Sequence, residues 1–278
     1  MGKLSRDERG KCEVIKGLIR RLIPTYRTFD ELSRQNQLLS EKLDRLHSEM
    51  ENLRKQEETT LFEVKCIGWQ HLGRFLVATA AMETSRFIID NMLKVPVFET
   101  KYDLLNHALD IIPPGGDRLY MEFGVYSGNT VNHIATKVKD ETVYGFDSFE
   151  GLPETWRSGF EKGVFDVQSK LPKVNENVTL VKGWFNESLP TFLEEHKEQC
   201  AFIHIDCDLY SSTMTVFEAL KERILPGTVI VFDEYFNYPG WQEGEYKALQ
   251  DFSEKYGIEF EYIGYTWLEQ VAIKITKC

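Results

Sequence analysis

Apolar positions between Phe29 and Leu53 keep a seven-residue period. Phe29, Asn36, Leu43 and Met50 form one series, and Leu32, Leu39, Leu46 and Leu53 follow three places later. These are the a and d positions of a heptad repeat, and the stripe is narrower than the apolar face of a helix packed on a globular domain. The pattern predicts a two-stranded parallel coiled coil, hence a homodimer or higher homo-oligomer, over the alternative of one amphipathic helix. Asn36 at an a position fits this expectation, because paired asparagines hydrogen-bond across the seam and fix its register. Glu49 at g would face Arg54 at e of a partner helix.

Farther along, the spacing changes. "KQEETT" reads as a loop, residues from about Glu63 to Leu93 and from Lys101 to Ile111 as helices, and "PPGG" as a break. Beyond it, "RLYMEFG", "TVYGFD", "VTLVKG", "AFIHID" and "TVIVFDE" are short apolar runs, each followed by a helix or loop. That rhythm predicts an α/β fold with a doubly wound, mostly parallel sheet. "IEFEYIGYT" and "EQVAIKITK" have no helix between them and predict an antiparallel hairpin at a sheet edge. The expected organisation is an N-terminal helix and coiled coil at 1–58, a helical linker and cap at 59–116, and the sheet domain at 117–278.

A chain of 278 residues, 42% hydrophobic, has ample material for one α/β core. Its net charge of −11 argues against nucleic acid as a partner, since polyanion binding needs a positive field. Five cysteines without a C-x-x-C pair read as reduced thiols of a cytoplasmic protein. The charged N-terminus does not read as a signal peptide, and the apolar stretch "GRFLVATAAM" is shorter than the roughly 20 residues of a membrane span. The basic segment "KGLIRRLIP" reads as an exposed amphipathic helix in preference to a membrane contact.

Charge placement within the sheet domain adds chemistry. "FIHIDCDLY" and "VIVFDEYF" are apolar strands that run into acids at the same end: Asp206 and Asp208 on one, Asp233 and Glu234 on the other. In open parallel sheets ligands sit beyond the carboxyl ends of the strands, where strand order reverses. The first strand leaves through "MEFGVYSGNT", with Gly124 and Gly128 spaced for a sharp turn and Glu122 beside it. A dinucleotide turn would carry a third glycine and no acid next to the pyrophosphate. S-adenosylmethionine suits the turn better, having an ammonium for an acid and a carboxylate for a helix N-terminus. Asp147 ends the next strand, positioned for ribose hydroxyls, although a nicotinamide dinucleotide uses an acid there too.

The stretches "EFGVYSGNT", "YGFDSFEGLPE", "KGWFNESLP", "HIDCDLYSST" and "VIVFDEYFNYPGW" resemble the class I methyltransferases of the macrocin O-methyltransferase type, which act on sugar hydroxyls of glycosylated natural products. The resemblance covers about 117–277 and rests most on "DSFEGLPE" and "D-x-D-L-Y-x-S-T". It implies a seven-stranded sheet with a reversed last strand, S-adenosylmethionine as methyl donor and often Mg²⁺. Carried onto this chain, Glu122, Gly124 and Gly128 would hold the methionine part, Asp147 and Ser148 the ribose, and Trp184 the adenine. Asp206, Asp233 and Glu234 match the metal positions, with Glu234 standing where the family more often has Asp or Asn.

Such acids suit alcohol methylation, in which an un-ionised hydroxyl is a poor nucleophile and a hard cation held by carboxylates lowers its pKa. Asp208 is then either the base that takes the acceptor's proton or a helix cap near Ser211, and His204 a core residue. Tyr210, Tyr235, Phe236, Tyr238 and Trp241 are expected to crowd the rim, against a small-molecule or glycoside acceptor. Two rival functions remain: a metal-dependent glycosyltransferase, because D-x-D can bind a nucleotide-sugar complex, and a non-catalytic coiled-coil scaffold.

Overall fold

A computed structural model describes residues 6–65, 72–168 and 170–278, and the chain divides into two compact units, Met1–His71 and Leu72–Cys278. In the first unit one helix, α1 (Arg6–Lys65), runs through "KQEETT", where the sequence suggests a loop. Gln, Glu and Lys are good helix formers, and two threonines do not stop a helix that lacks Gly or Pro there. Leu39, Leu43, Leu46, Met50 and Leu53 of the heptad stripe are all more than 60% exposed on this helix. The side chains of Phe29, Leu32 and Asn36 lie outside the described residues.

The second unit begins with α2 (Leu72–Asn91), β1 (Val97–Phe98) and α3 (Lys101–Asp110), the last started by Thr100, whose hydroxyl accepts the Asp103 N–H at 3.1 Å. There follow β2 (Arg118–Phe123), α4 (Asn129–Lys137), β3 (Val143–Asp147), β4 (Val178–Lys182), α5 (Phe185–Glu195), β5 (Gln199–Ile205) and α6 (Tyr210–Leu220). The unit closes with β6 (Val229–Phe232), α7 (Glu245–Tyr256), β7 (Glu259–Thr266) and β8 (Val271–Lys277).

These strands form one sheet in the order β1-β7-β8-β6-β5-β2-β3-β4, with only β8 antiparallel to its neighbours. The reversed last strand is as expected. The count is eight, not seven, because Val97 and Phe98 pair with Tyr265 and Thr266 and cap the edge beyond β7. Two residues of strand are too short to give a readable alternation in sequence. β7 and β8 are antiparallel neighbours, but β8 lies inside the sheet, between β6 and β7.

The central strands β2, β5 and β6 are buried almost end to end, as unbroken apolar runs covered on both faces should be. Phe123, Phe146, Ile203, Phe217 and Phe232 belong to the core on one face, and Leu104, Val131, Phe202 and Val231 to the other. Among the described residues no helix is long and apolar enough to cross a membrane. Strand order reverses between β2 and β5, so the ends of those two strands frame the crevice this topology offers to a ligand.

Candidate active site

Hydrogen bonds continue the sheet into the residues just past its strands. Phe123 O accepts from Asp206 N and Ile205 O from Asp233 N, each at 2.9 Å, so both acids are set by the ladder of β2, β5 and β6 and not by free loops. Gly124 N donates to Phe146 O at 2.9 Å and has φ +95. A Cβ at Gly124 would overlap the carbonyl oxygen of Asp206. This glycine therefore lets the exits of β2 and β5 touch. The close approach expected of a ligand is made by a neighbouring strand.

A cavity of about 610 Å³ opens over these ends. Gly124, Asp147, Ser148, Trp184, Asp206, Asp208 and Glu234 of the sequence-predicted residues line it, together with Lys101, Tyr126 and Phe165, which the sequence did not single out. Gly128 starts α4 with φ +81, between the lining residues Ser127 and Asn129. Asp233 is buried behind the acids on the wall, and its oxygens come within 4.8 Å of those of Asp206 and Glu234.

Two predicted residues sit differently from the simplest reading. Glu122 does not line the cavity: it is fully buried and its Oε1 lies 2.9 Å from Nδ1 of His204, its register partner on β5. Asp147 gives its carboxylate to the backbone. Oδ2 accepts the N–H groups of Val125 and Tyr126, both at 2.8 Å, and Oδ1 that of Phe149 at 2.6 Å. Tyr126 and Phe149 have φ of 44 and 59, a left-handed region that costs a residue with a side chain about 1–3 kcal/mol. Asp147 thus fastens the glycine turn to the exit of β3.

The acid cluster is under electrostatic load. Burial, then the charge of Asp233, pushes the Asp206 carboxyl well above the usual range, with His204 and Lys101 pulling the other way. Burial, then Asp206, Asp233, Asp208 and Glu245, does the same to Glu234. Glu245 of α7, also missed in the sequence, is fully buried, accepts the Glu234 N–H at 3.1 Å and is raised by burial and by Asp208 and Asp206. Asp208 is pushed up to about 7, chiefly by burial and then by Asp233, while Arg157 opposes the rise. Its backbone has φ +64, and α6 starts at Leu209 without a side-chain cap. Ser211 instead donates to Glu154 at 2.6 Å. His204 lies in the core as expected, with Nε2 lacking a hydrogen bond and 3.9 Å from Asp233.

The expected aromatic rim is mostly core. Tyr235, Phe236, Tyr238 and Trp241 are at most 4% exposed, because α2 and α7 cover them: Phe87 meets Trp241 at 5.6 Å and Tyr246 at 5.5 Å between ring centres. Aromatic groups nearer the opening are Trp184, Tyr126 and Phe165, the last two edge to face at 5.5 Å.

Residues 121–235, which contain the predicted cofactor and metal positions from Glu122 to Glu234, match a family described as a methyltransferase domain. Demethyldecarbamoylnovobiocin O-methyltransferase of Streptomyces niveus is 27% identical over 141 residues, 44% of this chain and 53% of that protein. Mycinamicin III 3''-O-methyltransferase of Micromonospora griseorubida is 26% identical over 171 residues, 51% of this chain and 63% of its own. The chain thus spans a little over half the length of the curated relatives it matches. Among solved structures, CalS11, a calicheamicin methyltransferase, shares the fold with a TM-score of 0.50 at 21% identity, over 79% of this chain and 92% of that one. The fold, the glycine turn and the matched segment agree: residues 121–235 match a methyltransferase domain, and this part of the chain is similar to S-adenosylmethionine-dependent O-methyltransferases of class I.

Proposed function

We propose that this protein transfers the methyl group of S-adenosylmethionine to a hydroxyl of a sugar or related polyol, with a divalent ion such as Mg²⁺ held by Asp206, Asp233 and Glu234. The observation that carries the reading is the convergence of these three carboxylates within 4.8 Å at the wall of a cavity that also takes in the glycine turn. Relatives named as O-methyltransferases of glycosylated compounds support the acceptor class, among them a tetracenomycin rhamnosyl 4'-O-methyltransferase of Streptomyces olivaceus.

The residues present fit a hard cation. Glu234 Oε2 is buried without a hydrogen bond, and burial and mutual repulsion hold the carboxyls of Asp206 and Glu234 above their ordinary range, so positive charge there would be strongly favoured. When bound, such an ion lowers the pKa of an acceptor hydroxyl. Asp208, poised by its buried setting near neutral pH, accepts the proton released as the oxygen attacks the methyl carbon. Trp184 offers a face to the adenine, Ser148 and the free edge of Asp147 meet the ribose, and the turn from Gly124 to Gly128 cradles the methionine part. Glu122 then acts from behind the turn, through His204.

Calorimetry with S-adenosylhomocysteine, paired with turnover on a panel of deoxysugar glycosides, tests the scheme. Asp206→Ala and Asp233→Ala should lose turnover by about 10²-fold or more while binding S-adenosylhomocysteine nearly as the unaltered protein does. No S-adenosylhomocysteine binding by the unaltered protein would end the methyl-transfer reading. Full activity in a verified metal-free preparation would end the metal reading alone.

The exposed a and d leucines of α1 support a second part of the proposal, that this helix pairs two copies of the chain in parallel through residues 29–53.

A further inference from the structure

Lys101 is the first residue of α3, a position where a positive charge opposes the helix dipole, so something outside the helix must account for it there. Its ammonium lies 3.3 Å from Oδ1 and 3.2 Å from Oδ2 of Asp233, spanning both oxygens of that buried carboxylate. The side chain is one-third exposed and lines the cavity beside Asp206 and Glu234. The arrangement is built from far along the chain. β1 pairs with β7, Thr100 caps α3 immediately after it, and the lysine reaches back across the sheet ends to a residue 132 positions later.

We infer that Lys101 is a tethered cation that holds Asp233 in the metal-free protein and competes with the divalent ion for it, so that this one residue sets how tightly the metal binds. The inference rests on the metal reading above and deepens it. Asp233 is the member of the triad with both oxygens engaged, whereas Glu234 Oε2 has no hydrogen-bond partner. A divalent ion bound to the three acids must take at least one Asp233 oxygen away from the ammonium and must share the site with its charge. Both effects weaken metal binding relative to a protein lacking that charge. The compensation is that the cluster folds without metal: six acids, Glu122, Asp206, Asp208, Asp233, Glu234 and Glu245, surround the site, and Lys101 is the lysine in direct contact with the triad, with His204 Nε2 3.9 Å from Asp233 beside it.

The test is Mn²⁺ binding by calorimetry at pH 8 to the unaltered protein, Lys101→Met and Lys101→Gln, with Asp233→Asn to subtract binding by surface acids. Both lysine variants should bind Mn²⁺ roughly tenfold more tightly or better, since losing a neighbouring like charge and a competitor for one ligand should gain at least one decade. In the same variants the metal-free protein should melt lower, and Mn²⁺ should raise its melting temperature by more than it raises that of the unaltered protein. The neutral, polar Gln side chain suits this one-third exposed position, which keeps a folded variant available if Met is too disruptive. Equal or weaker Mn²⁺ affinity in the variants, with Asp233→Asn abolishing binding, would overturn the role of Lys101 and leave the metal site standing. No specific Mn²⁺ binding by any of the proteins would overturn both.

Discussion

Replacing Asp147 by alanine should damage the protein even before any cofactor is added. Its carboxylate accepts three backbone N–H groups, of Val125, Tyr126 and Phe149. Val125 and Phe149 are buried, at 3% and 1% exposure, so their N–H groups lose a charged acceptor and gain little from water, whereas Tyr126 is half exposed and can be solvated. Two such losses at about 1–2 kcal/mol each, with a smaller third, come to about 3 kcal/mol. For a domain of this size about 2–4 °C is lost per kcal/mol, which gives a fall of about 6–12 °C in melting temperature. Freed from the acid, Tyr126 and Phe149 would also leave their left-handed conformations, loosening the turn, and affinity for S-adenosylhomocysteine should drop at least about tenfold. Asp147→Asn should be intermediate: its amide oxygen can serve Val125 and Tyr126, but its NH₂ group then faces the Phe149 N–H, donor against donor. Differential scanning fluorimetry and calorimetry read both effects. An alanine variant melting within 2 °C of the unaltered protein, or an asparagine variant worse than alanine, would refute the view that Asp147 is the clasp of the turn.

Gly124→Ala should cost about 3 kcal/mol or more, because a methyl group meets the Asp206 carbonyl and the residue keeps a positive φ; a near-normal urea midpoint would show that β2 and β5 can part there without loss. Changing Leu39 and Leu46 together to serine should turn a dimer into a monomer in sedimentation analysis with little change in S-adenosylhomocysteine binding. If the dimer persists, it forms elsewhere, and the apolar side chains exposed on α2, among them Leu72, Phe75 and Val77, are the next surface to alter.

Legibility in the sequence followed the scale of each signal. β2, β5 and β6 announced themselves because a strand buried on both faces needs an unbroken apolar run, and the acids just past the ends of β5 and β6 stood out against that background. Asp206, Asp208 and Glu234 on one cavity wall followed from parallel strands ending together. Asp147 was found for its position, but two of its three backbone partners, Val125 and Tyr126, could not be, since they depend on how a turn some 22 residues earlier folds back. Lys101 and Glu245 left no local trace. One is an ordinary lysine at a helix start, and the other lies on α7 among exposed-looking polar residues; only the tertiary fold brings them to the acids. Glu122 and His204 did carry a usable sign, two ionisable residues inside apolar strands, and two such residues on neighbouring central strands are natural partners for each other before they are partners for a ligand.

Strand β8 occupies the gap between β6 and β7 although the ribosome makes it after both. Until residues 271–277 are available, β6 has a bare outer edge, and so does the facing side of β7. An open apolar edge of that kind invites pairing with another chain. β6 is also the strand that ends in Asp233 and Glu234, so these acids gain their second flanking strand only when β8 slides in. Vectorial synthesis thus delays completion of the chemistry-bearing end of the sheet, and shortening the chain by that one strand would create two sticky edges at once.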